Sequence, residues 1–255
     1  MHPITHISAA LLIASLSATS TAAELLVARG DGFYPPNEMV IDGKLTGFHV
    51  DLINEVGKSI GLEVKWQSVP WARAQVMAKN GEVDALSYVS KTPEREQFGY
   101  FIDGNVTSTT QNGFFVPKGN PKGVKYSGDL KLMQPFAFGT IRGFSYSPEF
   151  DQASFLRKDD GAANEEQLLV KFSGGRFDVG IGVVSRIRYI AEQMKLGDSF
   201  EFIKPYLNER PAYLMFCKAK SKDGDATARK FADAMTAFKK TPRYGELLQK
   251  YKLER

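Results

Sequence analysis

The amino-acid sequence predicts an α/β protein of two lobes, each an open sheet flanked by helices. Three observations carry that prediction: a strand-helix-strand-helix-strand series in the first half, a second series after Val116, and one punctuation signature that occurs in both.

The first strand is the apolar run from Glu24 to Ala28, which empties into a loop at Arg29-Gly30-Asp31-Gly32. A helix is predicted from Asp51, with Leu52, Ile53, Val56 and Ile60 on the helical period and Gly61 as its stop. A strand at Leu62 to Trp66 follows, then a short helix from Ala72 to Asn80 closed by Gly81, then a strand from Val83 to Val89. After the apolar Phe114 to Val116 the scheme starts again. It runs through a strand at Phe136 to Ile141, a loop through Gly143, a helix from about Ala163 to Phe172 and a strand at Phe177 to Val184. The shared signature is Gly81-Glu82-Val83-Asp84 and Gly175-Arg176-Phe177-Asp178, where a glycine stops a helix and an acid sits at the start of a strand. Tyr213 to Ala219 reads as the last strand, and two amphipathic helices, around 226–239 and 243–251, complete the pattern. No low-complexity linker separates the halves, so strands are expected to join them.

The first 23 residues hold no Lys, Arg, Asp or Glu, centre on the apolar stretch Ile7 to Leu16 and end in small residues. That stretch falls short of the roughly 20 residues of a membrane span, so it reads as a secretory signal cleaved near Ala23. The lack of Lys or Arg before Ile7 leaves an uncleaved anchor as the alternative. Cys217 is the only cysteine, which excludes a disulfide framework and leaves no thiol beside the leader for a lipid. The net charge of +4 comes from both signs spread along the chain, with no run that could track nucleic acid. Histidines stand at 2, 6 and 49, so a mature chain keeps His49 alone. A zinc site, a Cys-His pair or a Ser-His-Asp triad would all draw on that one histidine and one cysteine, in apolar, strand-like contexts. His49 itself is expected on a strand edge, partly exposed.

In open parallel sheets, ligands lie at the carboxyl ends of strands. The loops to watch are therefore Gly30 to Asn37, Ser68 to Arg73, Ser90 to Arg95, Arg142 to Ser147 and the segment after Val183.

Tyr34-Pro35-Pro36, Gly43-Lys44-Leu45-Thr46-Gly47-Phe48, Val50-Asp51-Leu52, Trp71, Gly81-Glu82-Val83-Asp84, Thr92-Pro93-Glu94-Arg95 and Tyr100-Phe101 occur in that order. In order and spacing the chain resembles the bacterial extracellular solute-binding proteins of family 3, the periplasmic amino-acid-binding components of ABC transporters. The resemblance implies the type II periplasmic binding protein fold, with a hinge cleft between lobes that closes on ligand. Lobe 1 would take residues 24–115 and 219–255 and lobe 2 residues 116–218, with crossing strands near 113–118 and 213–219. It also implies a periplasmic monomer that captures a small carboxylate-bearing solute, an amino acid or a related compound, and delivers it to an inner-membrane ABC permease. No cofactor, no metal, no nucleic acid and no catalysis are expected.

Carried over by position, Arg95 would grip the carboxylate, since a planar guanidinium makes two parallel charge-assisted bonds to it. The competing role for Arg95 is a surface ion pair with Glu94 or Glu96. Ser90 and Thr92 would add donors, or serve only as turn and cap. Asp31 would face an amino group or side chain of the ligand, or close an Asx turn. Tyr34, Trp71 and Tyr88 would wall the pocket, with Trp71 in a loop after Pro70, or fill core instead. From lobe 2, Arg142, Gly143, Phe144 and Ser145 would form an anion-binding turn.

Val183 stands where family amino-acid binders carry an acid for the α-ammonium. A valine cannot neutralise a buried cation, so either Asp31 alone holds the amine or the solute is not a standard α-amino acid. Asn37 replaces an aromatic and His49 an acid. The competing functions are a solute sensor docked to a membrane receptor and a dehydratase-like enzyme on the same fold.

Overall fold

The computed structural model describes residues 23–220 and 224–253, so the leader expected at 1–22 lies outside the described residues. Among the described residues twelve strands are present: β1 (Ala23–Gly30), β2 (Met39–Ile41), β3 (Lys44–Thr46), β4 (Leu62–Val69), β5 (Ala85–Ser90), β6 (Gly99–Tyr100), β7 (Val106–Pro117), β8 (Ala137–Ile141), β9 (Arg157–Ala162), β10 (Val179–Val183), β11 (Phe200–Phe202) and β12 (Asn208–Cys217). The helices are α1 (Phe48–Ser59), α2 (Trp71–Asn80), α3 (Pro93–Glu96), α4 (Pro148–Gln152), α5 (Glu165–Ser173), α6 (Val184–Gln193), α7 (Gly224–Phe238) and α8 (Pro242–Lys250). Among the described residues no helix is long and apolar enough to cross a membrane.

One curled sheet runs β4-β1-β5-β12-β7-β10-β8-β9, with β6 on β12 and β11 on β7; β2 and β3 form a separate hairpin. Pairing is parallel within β4-β1-β5 and within β10-β8-β9, as the two strand-helix series require, and antiparallel through β12 and β7. Alternation along the strands assigns each face its own core. In the first half Leu25, Val27, Leu214 and Phe216 pack under α1, α7 and α8, whereas Ala28, Leu86 and Met215 pack under α2. In the second half Phe114, Val116, Phe138 and Ile181 pack with Phe150 of α4, and Phe115 points the other way into α5 and α6.

The repeated Gly-x-x-Asp signature performs the same task twice. Gly81 and Gly175 take left-handed φ values of 70° and 68°, which end the preceding helix. Asp84 then accepts from the Leu26 amide at 2.7 Å while its own amide donates to Leu26 O at 2.9 Å. Asp178 does likewise with Ala137, both bonds at 2.9 Å. Each aspartate thus fastens the first strand of its half to the strand that follows.

β7 and β12 are the long strands common to both halves. β7 pairs with β12 from Val106 to Asn112, then with β10 and β11 from Asn112 to Pro117. At the exchange, Asn112 Nδ2 donates to Asn208 Oδ1 (3.0 Å) and Tyr146 O (3.2 Å), and Asn208 Nδ2 donates to the same carbonyl at 2.6 Å.

α1 begins at Phe48, three residues before the expected Asp51, because its first amides find partners outside the helix. Phe48 N donates to Pro36 O at 2.9 Å and His49 N to Asn37 O at 3.0 Å. That close approach needs Gly47: φ is 136°, and a Cβ there would stand 2.2 Å from Asn37 O. His49 is consequently not a strand-edge residue but a fully buried one in the first turn of α1. Sequence reasoning also passed over β2, β3, α3, α4, β9, α6 and β11, most of them short and without sustained periodicity.

Cys217 is buried, and burial, helped by the Asp84 charge, pushes its thiol up to about 12. The folded protein is therefore expected to resist iodoacetamide at pH 8 and to take one adduct, by mass, only in denaturant.

Candidate functional site

Two strand exits and one helix start bring most of the expected lobe 1 residues together. Tyr34 lies in a turn closed by Tyr34 N to Glu38 O (2.8 Å) and Glu38 N to Tyr34 O (2.9 Å). Its ring folds back over Gly32, where a Cβ would stand 2.6 Å from the ring. Tyr34 meets Tyr88 edge-on at 5.7 Å, and Tyr88 meets His49 edge-on at 4.9 Å.

Tyr88 owes its direction to a bulge. Leu86 pairs with Met215 and Val89 with Tyr213, so Ser87 and Tyr88 oppose Leu214 alone. Tyr88 also holds φ at 58°, a left-handed value that costs a bulky residue about 1–3 kcal/mol and that gathers at functional sites. Burial raises the Tyr88 phenol, and contacts with Thr110 and Asn37 partly offset that; Glu38 adds to the rise and Arg186 opposes it.

Arg95 is half-buried and has no carboxylate partner among the described residues. Its guanidinium lies over the Trp71 ring at 5.3 Å, and Nη1 donates to Ser90 O at 2.8 Å. Glu94 pairs instead with Lys79 at 3.7 Å and Glu96 with Lys91 at 3.0 Å. Thr92 caps α3, its Oγ1 accepting from Arg95 N at 3.3 Å. Trp71 is the first residue of α2, not a loop residue; Pro70 sets the entry to that helix. Asp31 is exposed at the exit of β1, its amide bonded to Val69 O at 2.9 Å and its carboxylate without a partner among the described residues.

The lobe 2 turn is placed differently. Arg142, Gly143, Phe144 and Ser145 are all exposed after β8, with Gly143 at φ 76°. Ser145 Oγ donates to Asp151 Oδ2 at 2.6 Å, and Arg142 N to Ala162 O at 2.8 Å. No hydrogen bond, ion pair or ring contact joins these four to the Arg95 group among the described residues.

Beneath Tyr88 runs a network that sequence reasoning missed. Arg29 and Glu38, both fully buried, pair at 3.0 Å; Arg29 also donates to Ser68 Oγ (3.1 Å) and Gly32 O (2.5 Å). His49 Nδ1 lies 3.4 Å from Glu38, and its Nε2 lies 2.8 Å from Ser108 Oγ on β7. Burial pushes the Glu38 carboxyl up, but His49, Ser87 and Arg29 together outweigh it and hold the group below the ordinary carboxylate range. A second missed pair is Glu165 on α5 with Arg186 on α6, at 2.8 Å. Among the described residues no three His, Cys, Asp or Glu gather as a metal site.

A cavity of about 610 Å³ lies elsewhere, between Ile41, Arg188, Tyr189, Phe202 and Tyr251. None of the lobe 1 constellation lines it, so volume and chemistry part company; the unpaired charge and the strained tyrosine weigh more, because an open groove encloses no volume.

A sequence profile of the bacterial extracellular solute-binding proteins, family 3, matches residues 26–254. The chain belongs to that family. Among family 3 relatives, it is 26% identical over 234 residues to a probable histidine-binding protein of Neisseria gonorrhoeae, covering 88% of this chain and 81% of the relative. It is 30% identical over 137 residues to the L-cystine-binding protein TcyJ of Escherichia coli, covering 49% of this chain and 51% of that one. The unliganded, open L-cystine solute receptor of Neisseria gonorrhoeae superposes with TM-score 0.73 at 16% identity, over 90% of this chain and 92% of the receptor. A histidine kinase sensor domain similar to periplasmic binding proteins gives TM-score 0.61 at 18% identity, over 92% and 99%. The family 3 chain therefore has the two-lobed, type II periplasmic binding protein fold, and its curated relatives are solute-binding proteins named for amino acids, not enzymes.

Proposed function

We propose that this family 3 chain is a periplasmic, monomeric, non-catalytic receptor that captures a small carboxylate-bearing solute, an amino acid or related compound, and hands it to an ABC permease. The observation that carries the reading is Arg95: a half-buried guanidinium, steadied by Trp71 and Ser90 O, with no carboxylate of its own while both neighbouring glutamates are engaged by lysines. A cation so prepared and unpaired is suited to an incoming carboxylate. Ser90 and Thr92 hold that arginine in place, Tyr34, Trp71 and Tyr88 wall the pocket, and Asp31 receives any positive charge the solute carries. Residues 142–145 reach the solute only when the halves approach.

The two lobes are read as 24–115 with 219–255, and 116–218. The exchange of partners by β7 at Asn112 supports a crossing a few residues earlier than 113–118, and the pairing of Asn208 with Asn112 supports one nearer 208–212 than 213–219.

Histidine and cystine head the solutes to test, from the names of the relatives. A true ligand at 100 times its dissociation constant should raise stability by about 2.7 kcal/mol, read as a thermal shift. Absence of a shift across amino acids and small carboxylates overturns the proposal. The fold also serves as a kinase sensor domain, so delivery is a separate claim, and recovery of a permease by cross-linking in membranes decides it.

A further inference from the structure

A second arginine stands just past the carboxyl end of β10, where ligands of open sheets lie. Arg186 stands in the first turn of α6, three residues past Val183, whose register partner is Asn112 of β7. Its Nε is shielded from solvent and lies 2.8 Å from Glu165 Oε1, yet makes no hydrogen bond, because the angle is wrong for one. No other donor of the guanidinium is engaged among the described residues. The side chain is 25% exposed, so it can be reached, whereas Glu165 is only 8% exposed.

Both partners belong to the second half, on α5 and α6, and their charges act in two directions. On one side Glu165 is felt by Tyr146, whose hydroxyl accepts from Ile141 N at the root of the 142–145 turn. On the other, Arg186 is felt by Tyr88, the wall of the lobe 1 pocket. Asn37 Oδ1, beside Tyr88, is likewise buried without a partner. Among the residues named for the site, Arg95, Arg142 and Arg186 are cationic and Asp31 and Glu165 acidic, and Glu165 is already engaged by Arg186. Val183 adds no charge, so the one carboxylate paired with Arg186 is Glu165, already committed to that guanidinium.

We infer that Arg186 determines specificity: the solute presents a second acidic group to it, opposite the carboxylate held by Arg95, and the site selects diacids over neutral or cationic amino acids. This rests on the reading of Arg95 given above. Glu165 positions Arg186 and moderates its charge. A pair that merely stitched α5 to α6 would be weakened by loss of either partner and would leave selectivity alone.

Glutamate and glutamine test the inference, being the same size and differing by one charge. By calorimetry, glutamate or glutarate should bind the mature chain at least about tenfold tighter than glutamine. Arg186→Gln should bring that ratio to about one, and Glu165→Gln, which frees the guanidinium, should raise it. Opposite signs from the two variants exclude a purely structural role, and the Arg186 that Glu165→Gln leaves unpaired is 25% exposed and so keeps access to water. Glutamine bound as tightly as glutamate, with binding lost in Arg95→Ala and unaltered in Arg186→Gln, overturns the inference and leaves the Arg95 reading standing. Absence of binding by all three probes overturns the inference, and absence across the wider panel overturns that reading as well.

Discussion

Replacement of Arg95 by alanine is expected to lower solute affinity by tens to thousands of fold, because truncating one partner of a buried, hydrogen-bonded charge pair costs about 2–5 kcal/mol. The variant should still fold. Thr92 caps α3 through the backbone amide of residue 95, which alanine retains, and Trp71 loses only a cation–π contact worth about 0.5–1 kcal/mol at a partly exposed site. Arg95→Lys should recover little, since an ammonium cannot reproduce the planar fork that reaches Ser90 O and a carboxylate together. Isothermal calorimetry against the best ligand of the thermal screen, with melting temperature as control, separates the two effects. Unchanged affinity in Arg95→Ala would remove the basis of the proposed site.

The second large effect is on stability. Glu38→Gln leaves the Arg29 guanidinium at 0% exposure without its carboxylate, and breaking a buried pair in this way costs about 3–5 kcal/mol. For a chain of this size that is roughly 10 °C in melting temperature. The double replacement Arg29→Met with Glu38→Leu should cost much less, because an apolar pair needs no partner. The same residue sets a pH dependence. Glu38 is held below its ordinary value of 4.5, so its contribution is complete above that pH and is lost as pH falls through the lower, folded value. Wild type should therefore lose melting temperature below about pH 4.5, and its advantage over Glu38→Gln should shrink there. Asp178, drawn down by Lys122 and the Ala137 amide against the opposing effect of burial, loses its contribution in the same direction in both proteins, so only the difference between them reports Glu38. An advantage that widened on acidification would contradict the charge assignment.

Most of the sheet was legible because apolar runs, glycine stops and the repeated Gly-x-x-Asp act locally. The parallel pairing of β4-β1-β5 and β10-β8 follows from strand and helix order alone, whereas β9, which extends the second series, carries no sequence signal of its own. What sequence could not give was depth. His49 reads as a polar residue between two apolar ones, and only the docking of α1 on Pro36 and Asn37 buries it. Arg29 and Glu38 lie nine residues apart on either side of a Tyr-Pro-Pro turn, and nothing in spacing predicts that the turn folds them into a buried pair. Trp71 was expected in a loop because Pro70 was read as a break, whereas a proline just before a helix also marks its beginning. Arg186 carried one usable signal, a cation close behind a strand exit where Val183 had removed the expected acid.

The joining of the halves by β7 and β12 makes the connection a two-ply leaf spring. The plies are bonded to each other from Val106 to Asn112, and Asn112 and Asn208 are riveted to Tyr146 O where they enter the second half. Sliding one ply along the other by a residue would turn every side chain to the opposite face and shear that rivet. Any relative travel of the halves would therefore have to flex the spring, leaving both cores zipped.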